Sequence, residues 1–154
     1  MNMKKISGFI LMLFVSLFSL AQSGTKVNWT YTVKKLSEKQ YELKLTATVM
    51  PGWHLYSQIQ SKDAIALPTK ISFSKNPLIV FSGSVKEVGK VIDDFDKATQ
   101  SKSRFYSNKV EFIQIVTLKS KVKTVVNGNV EFMVCDDRQC LPPDNLKFTF
   151  RIDK

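Results

Sequence analysis

Along most of the chain, apolar and polar residues alternate one for one. "KVNWTYTV" (26–33) and "QYELKLTATV" (40–49) place an apolar side chain at every second position, with the polar "KKLSEK" between them. A two-residue period puts alternate side chains on opposite faces of a pleated ribbon, so these segments predict half-buried strands joined by a turn. Pro51-Gly52 ends the second, and "WHLYS" follows as a short extended piece. Further strands are predicted over 70–74, 78–83 and 85–91, with breaks at Asn76-Pro77 and Gly83-Ser84. "KVEFIQIVTLKS" (109–120) has the densest β-branched and aromatic content, and 128–135 and 146–152 complete the set. Asn127-Gly128 reads as the turn before 128–135, because both residues tolerate positive φ. No stretch of a dozen residues sustains a capped helical period. Roughly eight short strands separated by turn residues predict an all-β fold, an immunoglobulin-like antiparallel β-sandwich.

Residues 93–108, "DDFDKATQSKSRFYSN", interrupt this rhythm with charge and isolated aromatics. They read as a surface loop long enough to carry a role.

The N-terminus differs in kind. Lys4-Lys5, an apolar run over 10–20 and the small-residue pattern Ser19-Leu20-Ala21 match a cleavable secretory signal peptide over 1–21. The apolar run is short for a permanent membrane span, and no longer one follows, so the mature chain is expected to lack a transmembrane segment. Of 154 residues, 22–154 would remain, enough for one domain and too few for two. Losing the two signal lysines lowers the formal net charge from +10 to +8. The other lysines alternate with apolar residues on strand faces, so the charge reads as a basic, ordinary surface. Export makes nucleic acid an unsuitable partner, and a monomer is expected.

The candidate chemistry lies in "EFMVCDDRQCLPPDN", which holds both cysteines, Cys135 and Cys140. In an oxidising compartment two cysteines default to a disulfide, and the four residues between them suffice to turn a strand back on itself. As a staple the bond is modest. Closing about six residues stabilises by roughly 2 kcal/mol, against about 4.7 kcal/mol for about 100. Structural and redox roles therefore stay open on these grounds. A zinc site would need carboxylates beside the single histidine, His54, and no metal is expected. Asp136 and Asp137 disfavour a thiolate nearby and Arg138 offsets only one of them, which argues against an indiscriminate nucleophile.

Taken together, "CDDRQCLPP" and "PGWHLYSQ" in an exported all-β chain resemble the N-terminal periplasmic domain family of DsbD, the thiol:disulfide interchange protein. The similarity runs from about Tyr41 to Phe150, and Pro142, in the Pro-Pro after the second cysteine, is part of it. The resemblance implies an immunoglobulin-like sandwich whose Cys135–Cys140 pair sits at a hairpin end under a cap loop. It implies exchange with a thioredoxin-fold oxidoreductase or membrane thiol carrier, in the periplasm and without a cofactor. By position, Cys140 would form mixed disulfides and Cys135 would resolve them. His54 and Tyr56 would neighbour the pair, and the cap would lie within 93–102 with Phe95 as the shielding aromatic. Four residues separate the cysteines where better-known members have five, and the Phe-Tyr-Gly cap is not present. The membrane and thioredoxin-like parts of a full DsbD do not follow in this sequence. The rival expectation is a non-catalytic binding or adaptor module in which the disulfide is a clamp.

Overall fold

The computed structural model describes residues 26–96 and 100–153. The signal-peptide reading of 1–21 lies outside them. Eleven strands and no helix form among the described residues. They are β1 (Val27–Lys35), β2 (Gln40–Val49), β3 (His54–Tyr56), β4 (Lys70–Phe73), β5 (Ile79–Gly89), β6 (Ile92–Asp96), β7 (Ser101–Tyr106), β8 (Lys109–Leu118), β9 (Thr124–Phe132), β10 (Val134–Cys135) and β11 (Asp144–Ile152). All strand pairings are antiparallel, in three sheets ordered β1-β2-β8-β5, β11-β9-β4 and β10-β3-β7-β6. The fold is the immunoglobulin-like sandwich that the alternation predicts.

The β1-β2-β8-β5 and β11-β9-β4 sheets build most of the core by the period-2 rule. β2 turns Tyr41, Leu43, Leu45, Ala47 and Val49 inward, and β8 turns Val110, Phe112, Val116 and Leu118 inward. Val126, Val130 and Phe132 of β9 and Phe148, Phe150 and Ile152 of β11 join them in the same core. Aromatic pairs bridge the layers. Trp29 of β1 lies 5.3 Å from Phe132, Tyr31 lies 5.7 Å from Phe148, and Phe73 of β4 lies 4.9 Å from Phe81 of β5. Such contacts add about 0.5–1.5 kcal/mol each beyond the area they bury.

Three expectations change. Residues 78–83 and 85–91 form one strand, β5, because Gly83 takes a positive φ of 70° inside a bulge between Ser82 and Lys86. The buried Gln114 amide fills that bulge by donating to the Ser82 carbonyl at 3.2 Å. Asn127-Gly128 is no turn; it lies within β9, where Gly128 pairs with Phe148 on one side and Phe73 on the other. Gly is required there because a Cβ would strike the Phe148 ring and the Ser72 carbonyl. Finally, 93–108 is largely a hairpin, β6–β7. Its pairing was masked by polar residues, since Ser101, Ser103, Asp93 and Asp94 occupy ladder positions where apolar residues would have shown the period.

The third sheet positions the site. Met50-Pro51-Gly52-Trp53 makes a type II turn, closed by the Trp53 N–H donating to the Met50 carbonyl at 3.1 Å, with Gly52 at φ 81°. This turn carries the chain from β2 into β3. Met133 has the same effect further on, where the chain leaves β11's partner β9 and enters β10 beside β3.

Candidate functional site

Cys135 and Cys140 form the disulfide, with Cα atoms 4.0 Å apart. Local backbone geometry accounts for their closeness. The Asp136 N–H donates to the Gln139 carbonyl and the Leu141 N–H to the Val134 carbonyl, each at 2.9 Å. The two cysteines thus occupy the non-hydrogen-bonded position between those bonds, where opposed side chains approach most closely. The turn itself is built by Asp136. Its Oδ1 accepts from the N–H groups of Arg138 at 2.8 Å and Gln139 at 2.7 Å, which hold the carboxyl below its ordinary pKa. Asp137 and Arg138 stand exposed at the tip, as does Pro142 beyond the second cysteine.

The pair is asymmetric. Cys135, on β10, is only 2% exposed, whereas Cys140, on the returning segment, is exposed. The Cys140 side of the bond is thus the more accessible from solvent.

β3 lies against β10 with His54 paired to Cys135 and Leu55 to Val134. Paired residues project to one face, so His54 stands beside Cys135 while Leu55 is fully buried on the other. Trp53 packs half-buried against the core, under the Lys26 ammonium 5.3 Å away. Tyr56 shares the His54 face, and its hydroxyl lies 3.3 Å from His54 Nε2. On the next strand Phe105, paired to Tyr56, lies against the imidazole at 4.4 Å between centroids, the rings tilted by 34°. Burial lowers the His54 pKa, opposed by the charges of Asp137, Asp136 and Asp94. Burial also raises that of Tyr56, with Asp94 adding to it.

His54, Tyr56, Asp136, Asp137, Phe105, Asp94 and Phe95 border a single groove of about 770 Å³. Within β6 the alternation sets Ile92 and Asp94 on one face and Asp93 and Phe95 on the other. Asp94 acts on His54, while Phe95, 44% exposed, also edges a neighbouring hollow beside Ile59. Asp94 and Phe105 are the site residues that sequence reasoning missed. Phe105 stood out as an isolated aromatic, but only the non-local β3–β7 register places it over His54.

A second polar cluster ties this sheet to the sandwich. Glu87 of β5 accepts from the buried Ser57 hydroxyl at 2.6 Å, the Gln58 N–H at 2.6 Å and the Tyr106 hydroxyl at 2.9 Å. Burial and the bond to Glu87 raise the Tyr106 pKa.

The family model for "Thiol:disulfide interchange protein DsbD, N-terminal" matches residues 24–152. The chain belongs to this family. Solved structures with a similar fold include the DsbD N-terminal domain of Neisseria meningitidis in the reduced form, at 11% identity and TM-score 0.48, covering 81% of this chain and 90% of that one. The N-terminal periplasmic domain of ScsB from Proteus mirabilis matches at 16% identity and TM-score 0.53, over 86% of this chain and 48% of that one. A complex between the DsbD N-terminal and PilB N-terminal domains of Neisseria meningitidis contains a chain matching at 11% identity and TM-score 0.48, over 79% of this chain and 80% of that one. No curated protein matches the chain. Family membership and the Cys135–Cys140 bond agree with the DsbD resemblance read from "CDDRQCLPP" and "PGWHLYSQ". No helix among the described residues is long and apolar enough to cross a membrane.

Proposed function

We propose that this domain is a periplasmic thiol:disulfide carrier, exported by the leader over 1–21, that passes two electrons between its Cys135–Cys140 pair and a thioredoxin-fold partner. The observation that carries the reading is the unequal exposure of the two cysteines in a member of the DsbD N-terminal family. Cys140 exchanges with the partner, and Cys135 resolves the mixed disulfide. The dithiol itself stores the electrons, so no metal or organic cofactor takes part. The β6–β7 hairpin, with Phe95 near its tip, serves as the cover over the groove beside the pair and limits access until a partner docks.

Cys135→Ala tests the assignment, because it leaves Cys140 able to form a mixed disulfide that nothing resolves. The variant, incubated with a thioredoxin-fold oxidoreductase, accumulates a complex that reductant dissolves. Cys140→Ala accumulates none. Trapping through Cys135 alone would reverse the two roles.

A further inference from the structure

We propose that His54 is the proton acceptor for Cys135 when that thiol resolves a mixed disulfide, and that Tyr56 sets which imidazole nitrogen performs the transfer. This rests on the carrier reading and deepens it. The register places His54 directly opposite Cys135, the more sheltered of the two cysteines and the one least able to lose its proton straight to water. Asp136 and Asp137 sit beside that sulfur in sequence, so a free thiolate at Cys135 is disfavoured and its proton needs a nearby base. The imidazole is held from two sides, by the tilted Phe105 ring against it and by the Tyr56 hydroxyl at Nε2. With the Nε2 N–H donated to the Tyr56 oxygen, Nδ1 carries the lone pair that accepts a proton.

Cys140 has joined a partner sulfur, and the Cys135 thiol gives its proton to Nδ1 as its sulfur attacks Cys140 Sγ. The Cys135–Cys140 bond forms, the bond from Cys140 to the partner breaks, and the electron pair leaves on the partner sulfur. The cysteine pair is oxidised by two electrons and the partner disulfide is reduced. The charged groups facing the new imidazolium are Asp136 and Asp137 on the turn and Asp94 on β6, all acids; Tyr56 on its own strand and Phe105 on β7 add no cation. The acids stabilise the imidazolium until it releases the proton to the departing thiolate or to water. In the opposite direction the same imidazolium returns the proton to Cys135 as the disulfide opens.

The experiment uses the reduced protein and 5,5′-dithiobis(2-nitrobenzoate). The first thionitrobenzoate released reports the mixed disulfide at Cys140, and the second reports its resolution by Cys135. The leaving thiolate needs no proton, so the second phase isolates proton removal from Cys135. In the wild type this rate is level at neutral pH and falls about tenfold per unit once His54 is protonated. His54→Gln slows it about 100-fold at neutral pH, within the range of a lost general base, and makes it rise about tenfold per pH unit. Tyr56→Phe moves the break in the wild-type profile. A His54→Gln variant with the wild-type profile, or uniformly slower with an unshifted profile, overturns the proposal. Should that variant not fold, the wild type decides alone: a tenfold rise per unit throughout the neutral range means that no base serves Cys135. A disulfide with no physiological partner would still show both phases after reduction, so failure of the carrier reading registers in the trapping experiment and not in this one.

Discussion

At the scale of single residues, Asp136 shows how a side chain suited to one argument can be committed to another. Its charge, beside Cys135 in sequence, argues against a reactive thiolate. In the structure both hydrogen bonds accepted by its Oδ1 hold the turn that returns Cys140 to Cys135. Asp136→Asn keeps an acceptor at that place and is expected to retain the wild-type thermal transition, while Asp136→Ala lowers it. Equal transitions for Ala and Asn would mean that the turn does not depend on the side chain. His54 and Tyr56 entered through the resemblance carried by "PGWHLYSQ", and the β3–β10 register sets His54 opposite Cys135. Asp94 and Phe105 were not legible, because their nearness to His54 depends on the β3–β7 register, which joins strands far apart in sequence.

At the scale of elements, clean alternation made β2 and β8 readable almost residue by residue, and the exceptions have local causes. Gly83 was read as a break because glycine usually punctuates. Here it allows one bulge, whose carbonyl a buried glutamine satisfies. Gly128 was read as a turn for the same reason, yet it serves as empty space for the Phe148 ring across the ladder. Gly128→Ala is therefore expected to destabilise by about 1–3 kcal/mol through overpacking, measured by urea denaturation. No loss would mean that Phe148 moves aside freely. The β6–β7 hairpin escaped notice because ladder bonds rather than apolar side chains define it, together with the Arg104–Asp93 ion pair at 2.7 Å.

At the scale of the molecule, two sheets supply most of the core, and a third, entered through the Pro51-Gly52 turn and at Met133, carries the cysteine pair. The titrating groups on and beside that sheet give stability a definite pH dependence. Burial keeps the folded His54 pKa below its ordinary 6.5, so the unfolded chain binds that proton first as pH falls. This contribution is complete above about 6.5 and is lost downward from there to the lower folded value. Asp93 and Asp136, held below their ordinary 3.8 by Arg104 and by the turn N–H groups, add a second loss below about 4. Thermal transitions followed from pH 8 to 3 should fall in these two windows, and His54→Gln should flatten the first alone. An unchanged first window in that variant would assign it to another group.

Every functional step described depends on a Cys135–Cys140 bond that opens and closes against a partner. The most direct test is the reduction potential of the pair, from equilibrium with glutathione or dithiothreitol buffers. A carrier pair is expected between thioredoxin, about −270 mV, and DsbA, about −120 mV, where electrons can move to and from thioredoxin-fold proteins. A value below about −300 mV would mark a structural clamp and contradict the carrier function.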